Sequence, residues 1–343
     1  MPRSSKENDV LSGYVSEVEN EPQARGPKEA TVTPVYEEEA SSINSAGQRR
    51  VRSIDEQMEE RRQINADTTG VHYRENLGYL EIPLESLPTG GLFYPDGFAV
   101  KIRAARGEEI KHWSTMNEND INQLSRNDDI LNYMIERCTL VHNPEYAGNC
   151  WRDLKSIDRI YILLAIKEFT FVSGENDLSI PGENGEQLIV TKEMIDFIHI
   201  PDDLKRFYDS EKKCFTFQIG ANSINMYIPS IGVNSWLKSY AINKANARES
   251  YDEDFLNFAP MLLRDYRGVT NRNYEEYAAA TRLWGVKEWS VISHVIEILT
   301  DATQPKIKYN DERGGEHEIP LTFPGGLRSI FVIPDPLRTL CGA

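Results

Sequence analysis

The clearest alternation in the chain runs from Phe98 to Arg103. Phe98, Val100 and Ile102 face one way and Ala99, Lys101 and Arg103 the other, the period of a half-buried strand. A shorter strand-like run, Tyr79 to Pro83, precedes it. Between the two lies Leu87-Pro88-Thr89-Gly90-Gly91-Leu92-Phe93-Tyr94-Pro95-Asp96-Gly97, an apolar triplet inside a loop of two prolines and three glycines. Proline presets φ and glycine takes turns that other residues avoid, so this loop holds its side chains at a defined place.

Helical spacing follows. Gly107 to Trp113 opens with acids that suit a helix N-terminus. From Asp128 to Val141, residues Ile130, Leu131, Met134, Ile135, Cys138 and Val141 form one apolar face, and Asn143-Pro144 ends the helix. Ser156 to Phe169 is apolar nearly all round and predicts the buried centre of the domain, with Asp158 and Arg159 at its start as a cap and an ion pair. Thr170-Phe171-Val172 then reads as strand.

Residues 175–231 lean toward β structure. Gly182-Glu183-Asn184-Gly185 turns between Leu178–Ile180 and Gln187–Val190, and Gly220-Ala221-Asn222 joins Cys214–Ile219 to Ser223–Ile228. The chain is then helical. Asn234 or Ser235 caps a helix through Ala247, Asp252 to Asp265 follows with Pro260 kinking or dividing it, and Asn273–Leu283 pairs with Val286–Leu299 about Gly285. His294, alone on that last apolar helix, reads as a core residue. The final segment predicts a projecting hairpin, Lys306–Tyr309 with His317–Phe323, and then a docking strand, Ser329–Pro334.

Together these elements predict an α+β fold: a helical core with β-hairpins, a β-leaning insert and an extended N-terminal arm. The divisions are an arm at 1–70, disordered or held by a partner, a hairpin-plus-helix core at 71–174, the insert at 175–231, a helical region at 232–301, and a C-terminal hairpin with docking strand at 302–343. The arm earns its label by composition. It is poor in large apolar residues and cannot offset its own ordering entropy, although residues 49–64 carry good helix formers with mixed charge.

Charge narrows the partners. The 343 residues carry a net charge of −16 with 40% hydrophobic residues. An acidic chain without a basic tract is not built to neutralise phosphates, so no nucleic-acid partner is expected. Nor is a membrane partner, since no apolar run approaches the ~18 residues that a span needs. The polar N-terminus does not read as a secretory signal. Cys138, Cys150, Cys214 and Cys341 lie far apart with no CxxC pair, which points to free thiols rather than a disulfide or zinc framework.

Candidate chemistry is sparse. The six histidines show no HxxH or HExxH spacing, and GxSxG, Walker and GxGxxG patterns are absent. Asp252-Glu253-Asp254 lacks the alternating spacing of a calcium loop and suits a helix start. No catalytic residue, cofactor or metal is expected. The expectation is a non-enzyme whose working residues are apolar anchors: Leu92, Phe93, Tyr94 and Pro95 in the loop, and Ile307, Tyr309, Ile319, Leu321, Phe323 and Phe331 near the C-terminus. Gly90, Gly91, Gly97, Asp158 and Arg159 are the structural residues.

Two stretches carry a family likeness. Leu87 to Gly97 followed by Val100-Lys101-Ile102-Arg103 resembles a motif in the baseplate-hub and tail-assembly proteins of T-even-like contractile-tail phages. Those relatives typically read Leu-Pro-Ser-Lys-Gly-Leu-Phe-Tyr-Pro, then a strand ending Ile-x-Arg, then a Glu-rich helix, here Gly107-Glu108-Glu109. Ser156 to Leu164, with Lys167 and Thr170, is similar to the family's Asp-Arg helix. Thr89 and Gly90 depart from the usual Ser-Lys. A weaker likeness joins Gly314–Phe323 to the strand of a zinc ribbon in some phage tail proteins, but the ribbon cysteines are replaced, roughly by Asn310 and Arg313, and no zinc is carried over. The arm and the insert have no counterpart in the family pattern.

The resemblance implies a structural part of a phage tail in the baseplate or hub region, found in the virion and, during assembly, in the host cytoplasm. Its partners would be other tail or baseplate proteins and copies of itself. The alternative it leaves open is a tail-assembly chaperone, for example for the tape-measure protein, absent from the mature virion. An unrelated enzyme is the third reading, which a cleft with convergent titratable groups would support.

Overall fold

The computed structural model describes residues 53–59, 78–118, 124–171, 177–220, 222–311, 314–323 and 325–332. Most of the arm, Val172, Arg313, Cys341 and the end of the expected docking strand lie outside them.

The first sheet is antiparallel, in the order β1 (Leu80–Ile82), β2 (Ala99–Ile102), β3 (Thr139–His142). Leu80 faces Ile102, Ile82 faces Val100, and Val100 faces Val141, so the alternation seen in the sequence buries one face of all three strands. The helix expected to reach Val141 stops earlier. Helix α3 (Leu124–Cys138) gives way to β3 because β2 offers Thr139–His142 a hydrogen-bonding partner. Val141 is still buried, but as a strand residue.

Both edges of this sheet meet carboxamide side chains. Gln57, in α1 (residues 54–59), donates from Nε2 to the Glu81 carbonyl at 2.7 Å and accepts the Glu81 N–H at 3.0 Å. Asn149 does the same for β3, accepting from Val141 N–H at 2.9 Å and donating to the Thr139 carbonyl at 2.9 Å. Ile54 and Met58 are buried beside the sheet, so this described piece of the arm folds onto its own chain.

Helix α4 (Asp158–Thr170) forms the centre of the first core, with Tyr161 to Lys167 and Phe169 buried. Thr170, expected in a strand, ends the helix, its hydroxyl bonding the Ile166 carbonyl. Helix α2 (Gly107–Trp113) closes one side, and Trp113 meets Phe331 edge-on with ring centres 5.0 Å apart. Phe331 belongs to a 3₁₀ turn, Leu327–Phe331, rather than to a strand.

The insert divides between two cores. Its first hairpin, β4 (Ser179–Pro181) with β5 (Gln187–Ile189), packs on the first. Its second part, the short α5 (Asp202–Lys205) and the sheet β6 (Tyr208–Asp209), β7 (Cys214–Ile219), β8 (Asn222–Met226), builds the second core with the helices that follow. Helix α6 (Ile231–Ala247) starts three residues before Asn234, the first of the two expected caps. Ser230 caps it, accepting from Val233 N–H at 3.2 Å, while Asn234 donates to Ser156 instead. Helix α7 (Glu253–Leu262) is capped by Asp252 and is not divided by Pro260, which falls in its last turn. Helices α8 (Asn271–Thr281) and α9 (Val286–Ala302) complete the unit. His294 is exposed, a correction to its core assignment.

The C-terminal hairpin, β9 (Lys306–Asn310) with β10 (Glu316–Pro320), does not project. Ile307 and Tyr309 are buried, and β9 meets Ile195 on its outer side, with Asp196 N–H donating to the Lys306 carbonyl at 2.9 Å. At the hairpin's far end His317 stacks on Tyr309 and lies between two carboxylates, Glu183 at 2.8 Å and Asp311 at 3.2 Å. Those two hydrogen bonds raise the His317 pKa above its ordinary value. The raised value belongs to the folded state, so His317 contributes stability that is complete below about pH 6.5 and fades as pH rises through the folded pKa. His317→Gln is expected to flatten that part of the stability-versus-pH curve, as read by urea unfolding across the range.

Candidate functional site: a pinned loop and the cleft beside it

The Leu87–Gly97 loop is a chain of tight turns. Gly90 N–H reaches the Leu87 carbonyl at 2.7 Å, Leu92 N–H that of Thr89 at 3.2 Å, Tyr94 N–H that of Gly91 at 3.3 Å and Phe98 N–H that of Pro95 at 3.1 Å. Gly90, Gly91 and Gly97 take φ of +58°, +76° and +83°, which side chains disfavour, and a Cβ on Gly91 would also come within 3.0 Å of the Leu84 Cβ.

What fixes the loop is Asp158, fully buried at the start of α4. Its carboxylate accepts from Thr89 N–H at 3.0 Å, from the Thr89 hydroxyl at 2.8 Å and from the Tyr94 hydroxyl at 2.7 Å. Tyr94 in turn accepts from Lys155 N–H at 2.9 Å. Burial pushes the Asp158 carboxyl up to about 6, against the lowering effect of these hydrogen bonds. Arg159 points elsewhere. It binds Asp128 at 2.6 Å and Asn132 at 3.1 Å, tying α4 to α3. Burial alone would raise the Asp128 carboxyl, but Arg159 and Lys238 hold it below its ordinary range.

The loop's consecutive residues go to different places. Phe93 enters the second core, edge-on to Tyr208 at 5.6 Å and near Phe215 at 5.8 Å. Tyr94 enters the first, stacked on Phe98 at 4.4 Å. Leu92, at the turn's outside, is 48% exposed, while its carbonyl accepts from the Tyr208 hydroxyl.

This redistributes the expected interaction residues. Phe93, Tyr94, Ile307, Tyr309 and Phe331 are buried, so their apolar surface already serves the chain's own fold and is not offered to a partner. Pro95, Ile319, Leu321 and Phe323 are half-buried, and Ile319, Leu321 and Phe323 pack on the first core. Leu92 is the exposed member of the set. Sequence reading did not single out Leu283 and Val286, each 87% exposed at the turn between α8 and α9. Apolar residues flanking a helix-joining glycine were the available signal.

Beside the loop lies a cleft of about 690 Å³, walled by Pro95, Pro144, Tyr146 and Tyr227. Arg267 crosses it, bound to both oxygens of Asp153 at 2.6 and 2.9 Å, and covers the Tyr146 ring at 3.9 Å. Lys155 lines it too. Burial pushes its amine down to about 8, although Asp158, Asp153 and Asp265 pull the other way. Nothing in the local sequence Trp151–Lys155 marks this lysine, because the cleft is assembled with residues brought from positions 93–98 and 264–267.

Among the described residues no group of three or more His, Cys, Asp or Glu is arranged to hold a metal, and no helix is long and apolar enough to cross a membrane. Cys138 is buried, which pushes its thiol up to about 12, away from thiolate chemistry at neutral pH. Comparison with protein-family models, with curated proteins and with solved structures finds no match.

Proposed function

We propose that this chain is a non-enzymatic structural component of a bacteriophage tail, in the baseplate or hub region, working through protein–protein interfaces. The phage assignment rests on the likeness of Leu87–Arg103 and Ser156–Thr170 to the baseplate-hub pattern. The interface assignment rests on one observation: Leu92 stands exposed on a loop whose neighbouring residues are locked into two cores. An apolar side chain held rigidly loses little conformational freedom when it is covered, which is the property of an interface anchor. The partners are other tail proteins or copies of the chain, and the site of action is the virion, reached from the host cytoplasm.

Leu92→Asp tests this. Its side chain is half in solvent, so unfolding midpoints are expected to shift by no more than about 0.5 kcal/mol. Incorporation into tails, measured by mass spectrometry of purified particles, is expected to fall at least tenfold. Normal incorporation would remove Leu92 as an anchor. Wild-type chain found in assembly lysate but missing from particles would favour the tail-assembly chaperone instead.

A further inference from the structure

The five cations lining the cleft divide four to one. Arg267 is held by Asp153 and Asp265, Lys213 by Asp96, Lys212 by Asp209 and Arg264 by Glu145. The Lys155 amine makes no hydrogen bond or salt bridge to any described side chain. Asp158, Asp153 and Asp265 act on it only through space. Asp153 and Asp265 share their charge with Arg267, and Asp158 is turned onto Thr89 and Tyr94. Lys155 is half-buried in the cleft, and a partly desolvated ammonium without a contacting counterion gains from a carboxylate brought against it.

We propose that the cleft is a docking site for a single carboxylate, carried by a polypeptide partner beside an apolar side chain, and that Lys155 receives it. This rests on the reading of the chain as an assembly component. One carboxylate fits and an acidic run does not, because Asp96, Glu145 and Glu211 ring the same cleft and would repel further negative charge. Pro95, Pro144, Tyr146 and Tyr227 supply the surface for the apolar neighbour. Pairing would lift the cost that Lys155 bears in the free chain.

The first test uses the full chain alone. Trace acetic anhydride acylates each lysine at a rate read by peptide mass spectrometry, with exposed Lys111 and Lys287 as internal references. Phenylacetate is expected to slow Lys155 saturably relative to those references, and phenylacetamide to leave it unchanged. Equal effects of the two probes, or none, would overturn the carboxylate site. Phenylacetate is also expected to raise the denaturant midpoint of the wild-type chain, whereas Lys155→Met is expected to unfold at no lower denaturant than wild type and to show no such rise.

The second test applies a zero-length carbodiimide cross-linker to assembled tails, or to assembly lysate if particles lack the chain. A bond from Lys155 to a carboxylate of another polypeptide supports the proposal. Bonds only to Asp153 or Asp265 of the same chain overturn it. Phenylacetate protection without any intermolecular bond would assign the cleft to a small free acid and overturn the polypeptide partner. Absence of the chain from particles would sink the tail reading alone, since the free-chain result stands apart from it.

Discussion

Asp158→Ala is expected to cost about 3–5 kcal/mol of stability at pH 7, the range seen when one partner of a buried charged network is removed. The side chain is 0% exposed, and its loss strands the Thr89 N–H, the Thr89 hydroxyl and the Tyr94 hydroxyl in the interior. Asp158→Asn keeps the shape and one acceptor, so it is expected to lose far less. Both variants also separate from wild type by pH. The Asp158 pKa rises from an ordinary 3.8 to about 6 on folding, so the folded state holds this proton more tightly than the unfolded one. This contribution is therefore greatest below pH 4 and declines as pH rises to 6, by about 3 kcal/mol at roughly 1.4 kcal/mol per unit. Asparagine lacks the titration. Its stability relative to wild type should rise by about that amount between pH 4 and pH 7. Urea unfolding of the three proteins at both pH values checks this. Parallel curves for wild type and Asp158→Asn would show that Asp158 titrates normally.

Phe93→Ala is expected to cost a further large sum, about 3–5 kcal/mol, as for other phenylalanines removed from a packed core. Phe93 is 2% exposed and fills the space between Tyr208 and Phe215. The loop cannot collapse into the void, because Asp158 holds it from the other side through Thr89 and Tyr94. Phe93→Leu should lose no more than about 1.5 kcal/mol, since the volume is nearly kept. Hydrogen exchange should show the loss concentrated in β7 and β8. Wild-type stability for Phe93→Ala would mean that the two cores are not joined here.

Local pattern carried the reading far. The strand alternation at Phe98–Arg103, the all-round apolar α4 and both hairpin turns of the insert are visible because each depends on residues a few positions apart. The end of α3 was not visible. Thr139–His142 continues an apolar helical spacing, and only the nearness of β2 makes it a strand. The cap of α6 was missed because Ser230 sits behind Pro229, in a stretch that reads as loop. At the site, sequence marked the loop glycines and Asp158 as structural residues but did not pair the loop with Asp158, since Thr89 and Asp158 are 69 positions apart. The Ser-Lys departure at Thr89 and Gly90 loses its weight at the first position, where a hydroxyl is what Asp158 requires. Burial was the main misreading. Apolar residues in a loop or hairpin look available to a partner, yet Phe93, Tyr94, Ile307 and Tyr309 were drawn into the chain's own cores.

The two carboxamides on the first sheet have a bearing on aggregation. An exposed strand edge recruits other strands without regard to sequence, a hazard for any protein kept at high local concentration. Gln57 and Asn149 each imitate the backbone of an absent neighbouring strand, one on β1 and one on β3, and satisfy the groups that a stray chain would seek. They stop at a single residue pair and leave nothing to extend. A three-stranded sheet is thereby finished at both sides by two amide side chains, an arrangement that opposes growth by strand addition.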